Sequence, residues 1–308
     1  MGWQEIDGTD SKSLGGKRMR PTLAMLAADS VGGDLERADP IAVALEYVHN
    51  FSLIHDDLED MDRVRHHRPT VWAIWGESAA IISGNAMLKI ADTAAWKLRA
   101  AGVDDSVALE AEAELTGHYL KMMEGQYLDI SFETEESVSV EQYLDMIERK
   151  TGALIEASIY LGSLVAPRLG PDRVKATALK AIGYDLGRIF QIRDDVLGVW
   201  GGEETGKPVG ADIRRKKKAL PAVHALSAST GATAERLKQI FRTKDDLQEE
   251  DVNVVLGEMD NLGTYDYCQS MAESRWTDCK RMIESLDLSG STAEDFTELG
   301  EFLLVRES

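Results

Sequence analysis

Asp56 and Asp60 stand four residues apart in the stretch His49-Asn50-Phe51-Ser52-Leu53-Ile54-His55-Asp56-Asp57-Leu58-Glu59-Asp60-Met61-Asp62. On a helix, Ser52, Asp56 and Asp60 share one stripe, and His49 lies two turns before Asp56 on the same side. Two carboxylates one turn apart repel each other unless a cation lies between them. Hard oxygen donors at this spacing suit Mg²⁺, which keeps several waters and is shared with phosphate oxygens. Arg63, Arg65 and Arg68 follow at once. Acidic and basic groups gathered at the end of an apolar helix fit a metal–diphosphate site; the plain alternative is a solvated acidic helix end.

A similar arrangement returns 138 residues later, at Phe190-Gln191-Ile192-Arg193-Asp194-Asp195-Val196-Leu197-Gly198. Gln191 and Asp194 share a face, and a long apolar helix again precedes the aspartates. One turn past Asp194 stands Gly198, so this cluster is poorer by a carboxylate. Thr205-Gly206-Lys207-Pro208 then presents a lysine, and Arg214 to Lys218 is an unbroken basic run. Arg149-Lys150-Thr151-Gly152 adds cations and a hydroxyl in mid-chain, and Lys17, Arg18 and Arg20 form a third basic island near the start. In a chain of net charge −20, such islands point to an anionic ligand held at defined points.

Helices must position these groups. Apolar periodicity predicts them at about 21–31, from Pro40 towards Asp60, and at 77–101, 105–131, 140–166 and 172–200. Shorter ones are expected at 219–228, 232–242, 247–261, 264–286 and 292–306. Strand-like alternation is scarce, and neither a repeat nor a Pro/Ser-rich linker divides the chain. The reading is one all-α domain over 1–308, with a polar lead-in at 1–14 and long helices around a central cavity. The acidic balance disfavours nucleic acid as partner, since a phosphate backbone would be repelled. Cys268 and Cys279 read as two free thiols in a reducing compartment. With no leader and no long apolar run, a cytoplasmic protein without an integral membrane segment is expected.

Taken in order, these elements resemble the trans-isoprenyl diphosphate synthases, the polyprenyl synthetase family. The resemblance is carried by GGKRMRP at 15–21, HDDLEDMD at 55–62, RHHRPTVW at 65–72, KTG at 150–152, FQIRDDVLG at 190–198, TGKPVG at 205–210 and KKALP at 217–221. It implies the isoprenoid synthase fold, a homodimer, and Mg²⁺-dependent condensation of isopentenyl diphosphate with an allylic diphosphate. By the resemblance, Lys17, Arg20 and His49 match residues that hold isopentenyl diphosphate. Asp56 and Asp60 match magnesium ligands, with Asp57 and Asp62 nearby, and Asp194 matches the ligand of a further ion, up to three per site. Arg65, Lys150, Thr151, Gln191, Lys207 and Lys217 match the grip on the allylic diphosphate. Asp56, Asp60, Arg65, Lys150, Asp194 and Lys207 are therefore the expected catalytic set.

The chain departs from the family at four places. His66 stands where a second arginine contacting isopentenyl diphosphate is usual, Gly198 where the second motif ends in aspartate, and Asn85 where an aspartate is usual. An N-terminal helix of the family is expected to be missing. Phe51 and Ser52, five and four residues before Asp56, set the depth of the pocket in this family. One bulky and one small residue suggest a C20 product over C15. Two other readings stay open: a terpene cyclase-like enzyme that only ionises the allylic diphosphate, and a non-catalytic partner subunit of a full-length synthase.

Overall fold

The computed structural model describes residues 18–65, 68–202, 208–243 and 245–306. Among these residues the chain is all-α, with one two-stranded hairpin as its sheet structure. Its contacts divide it into two compact units, the first made of Met1–Tyr119, Ala157–Lys180 and Leu288–Thr292 and the second of Leu120–Glu156, Ala181–Asp287 and Ala293–Ser308.

Unit 1 holds α1 (Met19–Ser30), α2 (Leu35–Glu59), the hairpin of β1 (Val64–Arg65) and β2 (Arg68–Pro69), α3 (Val71–Trp75) and α4 (Glu77–Ala95). The first part of α5 (Asp105–Thr134), most of α7 (Ala153–Val165) and the start of α8 (Arg173–Trp200) complete it. Its core is rich in alanine: Ala24, Ala27, Ala28, Ala38 and Ala44 are fully buried. Such small side chains let helices approach closely, and at Gly162 a Cβ would collide with the Ala24 carbonyl. α2 starts at Leu35, ahead of the expected Pro40, which lies inside it. Proline removes one ladder hydrogen bond there. The lost bond is offset by the Asp34 cap, whose carboxylate accepts from the Glu36 N–H at 3.1 Å, and by Arg37, whose Nε donates to the Val165 carbonyl at 3.2 Å. α4 ends earlier than periodicity predicts and tightens into a 3₁₀ turn over Trp96–Leu98, with Leu98 fully buried.

Unit 2 holds the rest of α5 and α8 with α6 (Val140–Ile147), α9 (Ala211–Arg214), α10 (Leu220–Ala228), α11 (Gly231–Arg242), α12 (Glu249–Asn261), α13 (Thr264–Ser285) and α14 (Thr292–Val305). One apolar cluster joins Tyr143, Met146 and Ile147 of α6 to Ile192 and Val196 of α8, Leu220 and Val223 of α10, and Cys268 and Ala272 of α13. A second joins Val199 of α8 and Ile213 of α9 to α11 and α12 through Leu237, Ile240, Val252 and Val255. Both cysteines are buried and free, and burial pushes each thiol up to about 12, which keeps it unreactive.

The single helix expected over 140–166 is broken into α6, a π turn at Glu148–Gly152, and α7. The turn is pressed on by two neighbouring helices. A Cβ at Gly125 of α5 would fall on the Lys150 backbone, and one at Gly187 of α8 would lie 2.8 Å from the Gly152 Cα. Wide turns of this kind gather at functional sites, and this one carries Lys150 and Thr151.

Candidate active site

In unit 1, α2 delivers Asp56 on its last turn and is capped at Asp60. It ends in a Schellman arrangement: the Asp62 N–H donates to the Asp57 carbonyl at 2.9 Å and the Met61 N–H to the Leu58 carbonyl at 3.2 Å. Met61 has φ 55°, a left-handed position where a non-glycine residue costs roughly 1–2 kcal/mol. The reversed chain is pinned by Thr70 Oγ1 and Trp72 Nε1, which donate to the Asp62 carbonyl at 2.8 and 2.7 Å. Arg63 stacks over the Trp72 ring at 4.9 Å. The reversal returns Arg65 to the helix end, where its Nε donates to Asp57 Oδ1 at 2.6 Å. Burial raises the pKa of Asp57, and Arg65 opposes that rise.

Arg20 enters from α1. Burial lowers its pKa to about 10, against the pull of Glu46 and Asp56, so it stays charged at neutral pH. Its Nε is buried without a hydrogen-bond partner. A buried donor left unpaired is costly enough to need a reason, and an anionic ligand is a sufficient one. His49 is held well below the usual histidine pKa by burial first, then by Arg20 and Arg65, so the imidazole is neutral at pH 7. Arg20, His49, Asp56 and Arg65 thus share one electrostatic neighbourhood, with Asp60 one turn beyond Asp56. Lys17 and His66 lie outside the described residues.

Phe51 is buried and meets His55 edge to face at 4.8 Å, while half-buried Ser52 donates to the His49 carbonyl at 2.9 Å. The His55 ring lies where a Cβ at Gly84 of α4 would stand. That glycine lets α2 and α4 close on each other beneath the aspartates.

In unit 2 the two adjacent aspartates face opposite duties. Asp195 is fully buried and accepts from Tyr143 Oη, from the Leu220 N–H at 3.2 Å and from Gln191 Nε2 at 3.0 Å. The Gln191 amide, oriented in this way, accepts from Thr151 Oγ1 at 2.7 Å. A buried carboxylate therefore fixes two of the candidate ligands of the allylic diphosphate, Gln191 directly and Thr151 through it. Asp194 is half exposed; its Oδ1 accepts from Arg306 Nη2 at 2.8 Å, and Arg306 stacks on Phe190 at 4.2 Å. Lys150 pairs with Asp129. Burial alone would lower the Lys217 pKa, but Asp195, Asp212, Asp129 and Asp194 together hold it above the ordinary lysine value. Lys207 lies outside the described residues.

The basic run is not a bare anion patch. Arg214 pairs with Glu249 at 2.6 Å, Lys216 donates to the Thr243 and Asp245 carbonyls, and Lys218 donates to the Phe132 carbonyl at 2.6 Å near the end of α5. Lysines at a helix C-terminus meet its unpaired carbonyls, so Lys218 anchors the loop. Lys217 of the run lies in the field of Asp195, Asp212, Asp129 and Asp194.

Burial pushes Asp195 up to about 6, with Lys217 and its hydrogen bonds opposing. A carboxyl whose folded pKa exceeds its unfolded value of 3.8 binds protons more tightly when folded, so stability falls as pH rises from 4 to 6. The expected loss from this group is about 3 kcal/mol. Melting temperatures should therefore show Asp195→Asn gaining on the wild type across that window; parallel curves would contradict the assignment.

Asp129, Asp212, Tyr143 and Arg306 escaped sequence reasoning. Asp212 alone left a signal, as the single acid just before a basic run. Among the described residues no three or more His, Cys, Asp or Glu side chains gather as a metal site. Carboxylates supplied in ones and twos, beside cations and an unpaired buried guanidinium donor, fit Mg²⁺ shared with a diphosphate.

The sequence matches the family model described as Polyprenyl synthetase over residues 9–259. It is 42% identical over 238 residues to a (2E,6E)-farnesyl diphosphate synthase of Mycobacterium tuberculosis, covering 77% of this chain and 64% of that enzyme's length. The chain thus spans just under two thirds of that relative. It is 36% identical to a short chain isoprenyl diphosphate synthase of Methanothermobacter thermautotrophicus, covering 96% of this chain and 88% of the relative. The crystal structure of a polyprenyl synthetase from Streptomyces coelicolor A3(2) matches with TM-score 0.89 at 36% identity, over 99% of this chain and 89% of that one. The fold is the all-α isoprenoid synthase fold. With its ordered motifs, its carboxylate pair on α2 and these matches, the chain belongs to the polyprenyl synthetase family.

Proposed function

We propose that this protein is a Mg²⁺-dependent prenyltransferase that joins isopentenyl diphosphate head-to-tail to an allylic diphosphate, with geranylgeranyl diphosphate (C20) as product. The observation that carries this reading is the half-buried set in unit 1: Arg20 with its buried, unpaired Nε, neutral His49 and Arg65, close to the carboxylate of Asp56. We assign Lys17, Arg20, His49 and His66 to isopentenyl diphosphate, and Arg65, Lys150, Thr151, Gln191, Lys207 and Lys217 to the allylic diphosphate. Asp56, Asp60 and Asp194 are assigned to magnesium, up to three ions. Residues 1–308 act as one catalytic domain, placed in the cytoplasm.

The chemistry requires these residue types. Breaking the allylic carbon–oxygen bond sends an electron pair onto the diphosphate, and bound Mg²⁺ would stabilise that charge as a Lewis acid. Lys150 and Arg65 are the cations assigned to that charge, and cationic groups held in place beforehand lower the barrier without reorganisation. Thr151 and Gln191, locked by Asp195, orient the leaving group. The double bond of isopentenyl diphosphate attacks the allylic carbon, and the proton it then loses passes to the departing diphosphate, so no protein base is assigned. Incubating the protein with Mg²⁺, isopentenyl diphosphate and one allylic diphosphate should give a product longer by five carbons; its absence from a folded sample would refute the proposal.

Phe51 is assigned to the floor of the chain pocket. Phe51→Ala should shift products beyond C20, read by chromatography of the dephosphorylated alcohols; an unchanged product length would remove Phe51 from this role. A homodimer is proposed as well. It is supported by the exposed isoleucines 82 and 90, about two turns apart towards one side of α4, since apolar side chains left open to water favour burial against a second copy. Ile82→Lys should yield monomer by light scattering, and a variant that stays dimeric would move the interface elsewhere.

A further inference from the structure

The π turn at Glu148–Gly152 sends its side chains to two helices of unit 2. Arg149 donates to Glu124 at 2.7 Å and Lys150 pairs with Asp129, both on α5. The first and fourth side chains of the turn go to α8 instead. Glu148 Oε1 lies 3.1 Å from Arg188 Nη1, and Thr151 Oγ1 donates to Gln191 at 2.7 Å. Tyr184, Gly187, Arg188 and Gln191 recur at helical spacing, so they form one face of α8, and the turn lies along it.

The diphosphate grip accounts for Gln191 and Thr151 but leaves Arg188 without a task. Arg188 is 7% exposed, and its Nε is buried with no hydrogen-bond partner. A guanidinium at this depth is costly unless a partner is held close to it. Asp185, which lies in its field, is shared with Arg275 at 3.6 Å. Glu148 is the near carboxylate, and its own side chain is mostly buried. Tyr184 braces the pair. Its hydroxyl accepts from Arg188 Nη1 at 3.4 Å, and the guanidinium carbon lies 5.7 Å from the ring centre. Burial, and then a hydrogen bond with Glu148, pushes the Tyr184 pKa up to about 12, so the hydroxyl keeps its proton.

We propose that Arg188 and Glu148 are positioning residues for prenyl transfer: their ion pair, braced by Tyr184, fixes the π turn along α8 and so sets where Lys150 and Thr151 meet the allylic diphosphate. The inference rests on the proposed function, which assigns Lys150 and Thr151 to that ligand. A π turn departs from the regular α-helical ladder, so side-chain anchors decide how it sits. Without the pair, the anchor on α8 is the neutral bond from Thr151 to Gln191, and a charge-assisted contact is roughly twice as strong as a neutral one.

The test is steady-state kinetics on the full chain, with geranyl diphosphate and isopentenyl diphosphate varied separately and melting temperatures measured alongside. Arg188→Met and Glu148→Ala should each lower kcat/KM for geranyl diphosphate by about a hundredfold, the cost of a small misplacement, while KM for isopentenyl diphosphate stays within roughly twofold. Glu148→Gln keeps an oxygen that accepts from Arg188, so it should restore most of the activity lost in Glu148→Ala. Glu148→Ala/Arg188→Met should be no slower than the slower single variant, because both changes break one contact. A pair that only stabilised the fold would lower the melting temperature and leave the kinetic constants, read well below it, unchanged. If Arg188→Met does not fold, the contrast between Glu148→Ala and Glu148→Gln decides. Unchanged kinetic constants in Glu148→Ala, equal rises in KM for both substrates, or single losses that multiply in the double variant overturn the inference and leave the proposed function standing. A wild type that forms no extended product overturns both.

Discussion

Asp56→Ala should lower kcat/KM for prenyl transfer by about a thousandfold or more while leaving the melting temperature within a few degrees of wild type. The size follows from losing about 4 kcal/mol of charge stabilisation when an ion that neutralises the departing diphosphate is no longer held. The unchanged stability follows from position. Asp56 is half-buried on the last turn of α2, one turn before Asp60, so its removal relieves repulsion between stacked carboxylates while taking an opposite charge from Arg20, and the two effects oppose each other. Its neighbour gives the contrasting result. Asp57 is 6% exposed and carries the ion pair to Arg65, so Asp57→Ala leaves a guanidinium without its partner. That change should cost stability, on the order of 1–3 kcal/mol, as well as activity. Adjacent aspartates with opposite signatures would separate ligand from scaffold. Equal thermal losses in both variants would contradict the assignment of Asp56 as a ligand.

Gly125→Ala, on a residue assigned no chemistry, should cut kcat/KM about a hundredfold, the cost of a small misplacement of catalytic groups. A Cβ at 125 would lie 2.6 Å from the Lys150 Cα and closer still to its nitrogen. Backbone cannot rotate away as a side chain can, so the π turn must shift and carry Lys150 and Thr151 with it. Overpacking of this kind also costs about 1–3 kcal/mol. Gly117, in the same helix, is the control, because nothing lies within 4 Å of a Cβ added there. Gly117→Ala should be neutral or stabilise by up to about 1 kcal/mol, from helix propensity alone. If both glycines tolerate alanine equally in activity and melting temperature, the turn is not held as described.

Much of this site was legible in the sequence because it is written in helical spacing. The Asp56–Asp60 pair, the long apolar runs before both aspartate clusters, and the all-α class follow from periodicity that tertiary contacts do not override. The rest depends on contacts distant in sequence. The π turn at Glu148–Gly152 is closely approached by two glycines of other helices, Gly125 and Gly187. No pattern within 140–166 announces it. The role of Asp195 was hidden for the same reason: it is set by Tyr143 and Leu220, 52 and 25 residues away. Adjacent aspartates look alike in sequence, yet one is fully buried and the other half exposed. The basic run misled in the opposite direction, because charge was visible while the carbonyls that occupy Lys216 and Lys218 were not. The early start of α2 was hidden by Pro40, which reads as a helix beginning but sits within one.

Prenyl transfer by this protein is tested by a product assay. Purified protein is incubated with Mg²⁺, isopentenyl diphosphate and, separately, the C5, C10 and C15 allylic diphosphates, and the chain length of the products is measured. Extension by five-carbon units from each is expected, accumulating at C20, with no product when Mg²⁺ is chelated. Hydrocarbon or alcohol formed from the allylic diphosphate without any need for isopentenyl diphosphate would point to ionisation without condensation. No extended product from any pair, in a folded sample, would contradict the account.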